Sequence, residues 1–226
     1  MEREEKITGH FEQIAGDYLK YKEMNKYYYR ALKELVSSKF GRISRVLEIG
    51  CGTGDIIGFL NPKEGVGVDV SRKMIELASK HYPQKNLSFC VSAGESLDVK
   101  GKFDGVLMVD VIEHLSDVRT TASEIRRVTK KGALVFISSA NPLWEPILLA
   151  AEKLGFKMPE GPHNWISKEK LRKIFEGNGF VVVEEGFRLA VPKKVPLADQ
   201  INAVFWRVPL LRNLGLIQFL LLQRGA

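Results

Sequence analysis

The 226-residue chain is poor in cysteine: it has only Cys51 and Cys90, with no CxxC pair and no adjacent histidine cluster. That argues against a disulfide framework and a structural zinc site, and it suits a reducing compartment. No apolar run approaches the ~20 residues needed to cross a bilayer. No Gly-, Pro- or Ser-rich tract marks a linker, and no internal repeat is present. The first ten residues, MEREEKITGH, are charged and resemble neither a signal nor a transit peptide. A cytoplasmic, metal-free protein is expected.

Apolar residues make up 45% of the chain, enough for a sizeable core, and the net charge is +7. Such a charge is compatible with phosphate-bearing or anionic-membrane partners and specifies neither.

Residues 2 to about 39 carry helical spacing, in Ile7, Phe11, Ile14 and Tyr18 and again in Leu32, Leu35 and Val36. Short apolar runs then alternate with helical patterns. Strands are predicted at 46–49, 65–70, 87–91, 103–109 and 133–138. Helices are predicted at 55–60, after Ser71, and from Val118 to a basic end at Lys130-Lys131-Gly132. Beyond them a helix over 167–176 and strands over 180–189 and 216–222 are expected. Continuous apolar strands alternating with helices indicate a mostly parallel sheet covered on both faces.

The first strand runs into RVLEIGCGTGD, with Gly50, Gly52 and Gly54 at alternate positions. In a doubly wound sheet, ligands lie at the carboxyl ends of the strands. Bare backbone there permits close approach and positive φ. A dinucleotide fingerprint, G-x-G-x-x-G, would need a third glycine at position 55, which is Asp55. A carboxylate in the first helical turn opposes a pyrophosphate. It is tolerated by an adenosine joined to an amino acid.

These residues resemble motif I of the Rossmann-like S-adenosylmethionine-dependent methyltransferases, the small-molecule subgroup in particular. Further motifs follow in order over roughly residues 8–190: VGVDVS, SAGESL, FDGVLMVDVIEHLSD and GPHNWISKEKLRKIFEGNGF. The resemblance implies an α/β fold with a doubly wound, seven-stranded, mostly parallel sheet and an antiparallel last strand. It also implies S-adenosyl-L-methionine as cofactor. It assigns Gly50, Cys51, Gly52 and Gly54 to the methionine and ribose, and Glu48 to the ammonium. Asp69, with Val70 beside it, would take the ribose hydroxyls. Where the family often has Asp-Ala, this chain has Ser92 before Ala93. The adenine side therefore falls to Ala93, Gly94 and Glu95, with Ser92 or Ser96 as substitute partners and Met74 against the ring or simply in the core. Asp110 and Val111 would flank the methyl group, and Tyr18 would close over the cofactor.

His114 is the candidate base if the acceptor is a hydroxyl; a structural role for the Glu-His-Leu string is the competing reading. Tyr28 and His163 are candidate substrate-lining residues. One domain is expected: a helical lid at 1–40, a cofactor-binding core at 41–190, an insert at 191–214 and the last strand at 215–226. The stretch 186–226 holds six Lys or Arg and a single acid. Leu197, Ile201, Val204 and Phe205 fit one helical face of the insert, with Arg207 and Arg212 beside apolar neighbours. Such a segment can lie on a membrane surface, cover the acceptor pocket, join two subunits or pack on the sheet edge.

The function expected is methyl transfer to a small-molecule or lipid-like acceptor. RNA methylation is the alternative enzyme reading, but no RNA-binding module or Asn-Pro-Pro-Tyr string supports nucleic acid as a partner. A non-catalytic cofactor-binding protein and an NAD oxidoreductase are the remaining alternatives.

Overall fold

The computed structural model describes residues 2–225 except Arg42, Glu160, Trp206 and Arg207, so the expectation for Arg207 lies outside the described residues. The chain begins with three helices, α1 (Glu2–Ile14), α2 (Tyr18–Met24) and α3 (Lys26–Phe40). Then come β1 (Arg45–Ile49), α4 (Asp55–Leu60), β2 (Glu64–Asp69), α5 (Arg72–His81), β3 (Leu87–Val91) and β4 (Phe103–Val109). After them follow α6 (Val118–Val128), β5 (Thr129–Ala140), α7 (Glu145–Lys153), α8 (Lys168–Gly177) and β6 (Phe180–Arg188). The chain closes with α9 (Ala198–Phe205), α10 (Pro209–Arg212) and β7 (Ile217–Arg224).

The seven strands form one sheet in the order β3-β2-β1-β4-β5-β7-β6. All neighbours are parallel except β7, which runs antiparallel to both β5 and β6. The expected fold class is therefore present. Strand order reverses between β1 and β4, and at that switch point the crevice opens at the strands' carboxyl ends.

Successive side chains of a strand point to opposite faces, and the core divides accordingly. Leu47, Val106, Met108, Val135 and Ile137 pack against Ile125 of α6 and Phe175 of α8. Their neighbours Val46, Leu107 and Phe136 pack on the other face, against Val36 of α3 and Ile57 of α4. Local caps hold the helices next to the crevice: Ser71 Oγ accepts from Met74 N–H, and Ser167 caps α8 in the same way.

The region expected to be helical is so, in three helices separated at residues 15–17 and at Asn25. One expectation is corrected. The helix after Val118 stops at Val128, and Lys130-Lys131-Gly132 belongs to β5. Thr129 causes this: its hydroxyl donates back to Ile125 O at 2.7 Å while its backbone pairs with Phe103. The extra residues are absorbed by a register shift between Phe103 and Gly105, with Gly132 at positive φ.

Candidate active site

The ends of β1, β2 and β4 bring together the glycine loop, Asp69 and Asp110. Gly50, Gly52 and Gly54 take φ values of +69°, +49° and +81°. At Gly50 the requirement is double, because a Cβ would also lie 2.2 Å from Val111 Cγ2. Gly50→Ala is expected to destabilise the fold by about 1–3 kcal/mol. The melting temperature should fall roughly 2–4 °C per kcal/mol. Gly9→Ala, in an open helical position, should leave it unchanged or slightly raised. Thermal melts of both variants check this, and equal melting for Gly50→Ala and wild type would refute it. Gly54 contributes differently: it caps α4 and packs under Phe89 and Tyr82.

Glu48 lies on β1, only 2% exposed, and its Oε2 accepts from Ile57 N–H at 3.0 Å. Burial pushes its carboxyl up to about 8, against that hydrogen bond. Asp69 ends β2. Its two oxygens accept from Gly52 N–H and Ser71 N–H, each at 2.9 Å. Burial pushes Asp69 up as well, opposed by those bonds. Two buried carboxylates thus border one cleft, with the glycine loop between them.

Val70, Met74, Gly94 and Glu95 also border this cleft. Ala93 does not line it; it forms an isolated bridge with Ser96. Ser92 borders it, but its hydroxyl is engaged within the loop, donating to Ser96 O and accepting from Asp98 N–H. Glu95 Oε1 accepts from Ser116 and Asp117 N–H, tying the loop after β3 to the loop after β4. Cys51 also borders the cleft; it is buried, and desolvation pushes its thiol well up, which opposes a nucleophilic role.

The first two helices cover the cleft. Tyr18 packs on Gly52, and burial together with the charges of Asp69 and Asp110 raises its phenol. Lys22, one turn on, reaches Asp55 and Thr53 and lies 4.8 Å from the Tyr18 ring centroid. Glu12 accepts from Ser71 Oγ and Lys73 N–H at the start of α5. Asp55 is therefore not the uncompensated charge that the sequence suggests; Lys22 holds its carboxyl low despite burial. The Lys22–Asp55 pair, which ties α2 to the start of α4, is a contact that sequence reasoning missed.

A second cleft adjoins the first and shares Tyr18, Asp110 and His114 with it. Asp110 is a non-glycine residue at φ +52°, and its Oδ2 accepts from Tyr28 O–H at 2.8 Å. Such strained backbone concentrates at functional sites. Tyr28 borders the second cleft, whose far walls are apolar: Trp144, Ile147, Leu148, Phe156 and Met158. His114 is 8% exposed, and its Nδ1 lies 3.1 Å from Pro162 O. A carbonyl only accepts, so Nδ1 carries the proton, and in the neutral ring Nε2 is the basic nitrogen. His163 borders neither cleft. It lies behind His114, with ring centroids 5.4 Å apart, and packs on Trp165. Among the described residues, Glu113, His114 and His163 are the group with cation-binding chemistry, their ligand atoms within 4.8 Å of one another.

The donor set fits an adenosine joined to an amino acid. The carboxyls of Glu48 and Asp69 line the cleft and match an ammonium and a ribose diol, while the nearby cation, Lys22, is paired with Asp55.

Comparison with known proteins agrees. The family profile described as "Methyltransferase domain" matches residues 21–185. A Ubiquinone biosynthesis O-methyltransferase of Nitrobacter winogradskyi is 31% identical over 152 residues, 62% of this chain and 58% of that protein. The chain thus spans under two thirds of the curated relative's length. A solved SAM-dependent methyltransferase of Thermotoga maritima aligns with TM-score 0.73 at 21% identity, over 97% of this chain and 100% of that one. The N-methyltransferase NodS of Bradyrhizobium japonicum, solved with S-adenosyl-L-homocysteine, aligns with TM-score 0.61 at 16% identity, covering 88% of each chain.

Proposed function

We propose an acceptor and residue roles from one premise: the chain belongs to the methyltransferase-domain family and is an S-adenosylmethionine-dependent enzyme. The reading is methyl transfer to an oxygen on a small, largely apolar molecule, a lipid-tailed aromatic hydroxyl being the class that fits best. One observation carries it. The crevice at the switch point continues, past Asp110 and His114, into a second cleft walled by Trp144, Ile147, Leu148, Phe156 and Met158. The O-methyltransferase name of the curated relatives favours oxygen over nitrogen.

When bound, the cofactor would supply a methyl group on sulfonium, whose transfer to an acceptor oxygen leaves a thioether. Asp69 would accept from the ribose hydroxyls, and Glu48 would pair with the ammonium. Gly50 and Gly52 let the backbone approach the ligand. Tyr18 closes the cleft from above and excludes water. Asp110, itself held by Tyr28, shapes the junction where acceptor and methyl meet, so alignment is the main contribution. The acceptor's hydroxyl proton passes to Nε2 of His114. Incubating the enzyme with S-adenosylmethionine and a prenylated catechol, then assaying methylation by mass spectrometry, tests the reading. Methyl transfer to amines or RNA but not to this acceptor would refute it.

Glu48 makes binding pH-dependent. Its folded pKa of about 8 lies above the ordinary ~4.3. The folded apo-protein therefore holds a proton that the unfolded chain releases, and this contribution to stability is lost as pH rises from about 4.3 to 8. Pairing with an ammonium requires the ionised form. S-adenosylhomocysteine should therefore bind with proton release at pH 7, and affinity should rise up to tenfold per pH unit until about pH 8. Calorimetry in buffers of different ionisation enthalpy measures the release. Its persistence in Glu48→Gln would move the effect to another group, Asp69 first.

A further inference from the structure

We propose that the face formed by α7, α9 and α10 docks on an anionic lipid surface. The central observation is that α9 is packed inside out. Its buried positions are Ala198 and Asn202, while Leu197, Ile201 and Val204 are 65%, 43% and 54% exposed. Ile201 and Val204 lie on one stripe of the helix, and Leu197 stands immediately before it at φ +64°. Asn202 explains the orientation. Its Oδ1 accepts from Ala190 and Val191 N–H, and its Nδ2 donates to Tyr27 Oη and Val191 O. Four hydrogen bonds thus turn the amide inward and leave the hydrocarbon outside, contrary to the usual arrangement in a globular domain.

The apolar surface extends beyond α9. Leu211 and Leu214 follow at 38% and 45% exposed, and across the cleft Leu143, Ile147, Leu154 and Phe156 are 57–69% exposed. The two groups are tied together: Trp144 Nε1 donates to Leu214 O at 2.8 Å, and Asn141 Nδ2 donates to Asn213 O and Gly215 O. Both segments spring from the end of the sheet where β5 and β6 finish and β7 begins. Ile147, Phe156 and Lys193 also border the second cleft, so the patch surrounds its mouth.

Charge selects the occupant. Lys153, Lys193, Lys194 and Arg212 are exposed on or beside these segments, against one exposed acid, Asp199, and the half-buried Glu145 and Glu152. Basic residues interleaved with exposed leucines and isoleucines match the boundary between acyl chains and anionic headgroups, where the cations reach phosphate and the hydrocarbon enters the membrane. Among the described residues no helix is long and apolar enough to cross a membrane, so the contact is peripheral. The docking needs only the surface. It gives the proposed lipid-tailed acceptor a route into the second cleft, but it can hold or fail apart from that acceptor.

Flotation of the full chain with phosphatidylglycerol vesicles, with phosphatidylcholine vesicles as reference, tests the proposal without any methylation assay. Binding is expected to phosphatidylglycerol, weaker to phosphatidylcholine, and reduced several-fold by 0.5 M salt. A Leu197→Asp/Ile201→Asp/Val204→Asp variant should lose at least tenfold while keeping its stabilisation by S-adenosylhomocysteine, which shows that it is folded. Lys194→Glu/Arg212→Glu should lose the preference for the anionic lipid. Three results would overturn the proposal: no flotation with phosphatidylglycerol, undiminished flotation of the triple variant, or a wild-type dimer that the triple variant abolishes, which would assign the face to a second copy.

Discussion

Asp69→Ala is expected to weaken S-adenosylhomocysteine binding by roughly 10²–10⁴-fold. The carboxylate is proposed to accept from both ribose hydroxyls, and a hydrogen bond to a charged group is worth about 1.5–3 kcal/mol. Two such bonds make about 3–6 kcal/mol, which is that loss in affinity. The geometry concentrates the effect. The same oxygens already accept from Gly52 and Ser71 N–H, so removal of the side chain frees the glycine loop and the start of α5 together. Melting curves separate the two consequences. For wild type, ligand at 100 times its Kd adds about 2.7 kcal/mol and should raise the midpoint by roughly 5–10 °C. Asp69→Ala should melt lower without ligand and show no rise with it. Asp69→Asn keeps one acceptor oxygen in place and should bind with an intermediate loss. A wild-type ligand response in Asp69→Ala would sink the assignment.

What the sequence revealed of this region was local or periodic. Gly50, Gly52 and Gly54 announce a positive-φ turn because few other residues tolerate one, and all three have positive φ. Ser71 and Ser167 are legible as caps since a cap is a contact over three residues. The strands that carry Glu48 and Asp69 and lead into Asp110 are legible because burial on both faces leaves an apolar run. What escaped depends on partners distant in the chain. Lys22 and Asp55 are 33 residues apart in the chain and meet only through the packing of α2 beside the glycine loop. No proline marks the breaks that divide the first 39 residues into three helices. The stripe on α9 was visible as a period, but a period does not say which face turns inward. That was decided by Asn202 and the backbone at 190–191, a tertiary contact. His163 resembles a pocket residue in sequence, yet the loop places it behind His114.

Replacing His114 should have the largest effect on turnover. If Nε2 takes the acceptor's proton, His114→Ala should lower kcat by roughly 10²–10⁴-fold, with KM for S-adenosylmethionine little changed. The surroundings of the ring prepare it to act as a base. Pro162 O fixes the Nδ1 proton, and the Phe11 edge packs against the imidazole at 5.2 Å. His114 borders both clefts, the residue position a base for the acceptor would need. A purely structural histidine predicts something else. It would shift stability and KM together and leave the pH profile of kcat/KM unchanged in shape. A base predicts that the acidic limb of that profile disappears in His114→Ala and in His114→Gln, and that turnover in the variants recovers as pH approaches the acceptor's own pKa. Glu113 and His163 provide the third possibility, a cation held by the trio. That arrangement would make wild-type turnover sensitive to a chelator and restorable by a divalent metal, whereas an imidazole base acting without a metal gives the same rate in both conditions. Chelator insensitivity with loss of the acidic limb is the expected pair of results, and an unchanged profile in either variant removes His114 from the chemistry.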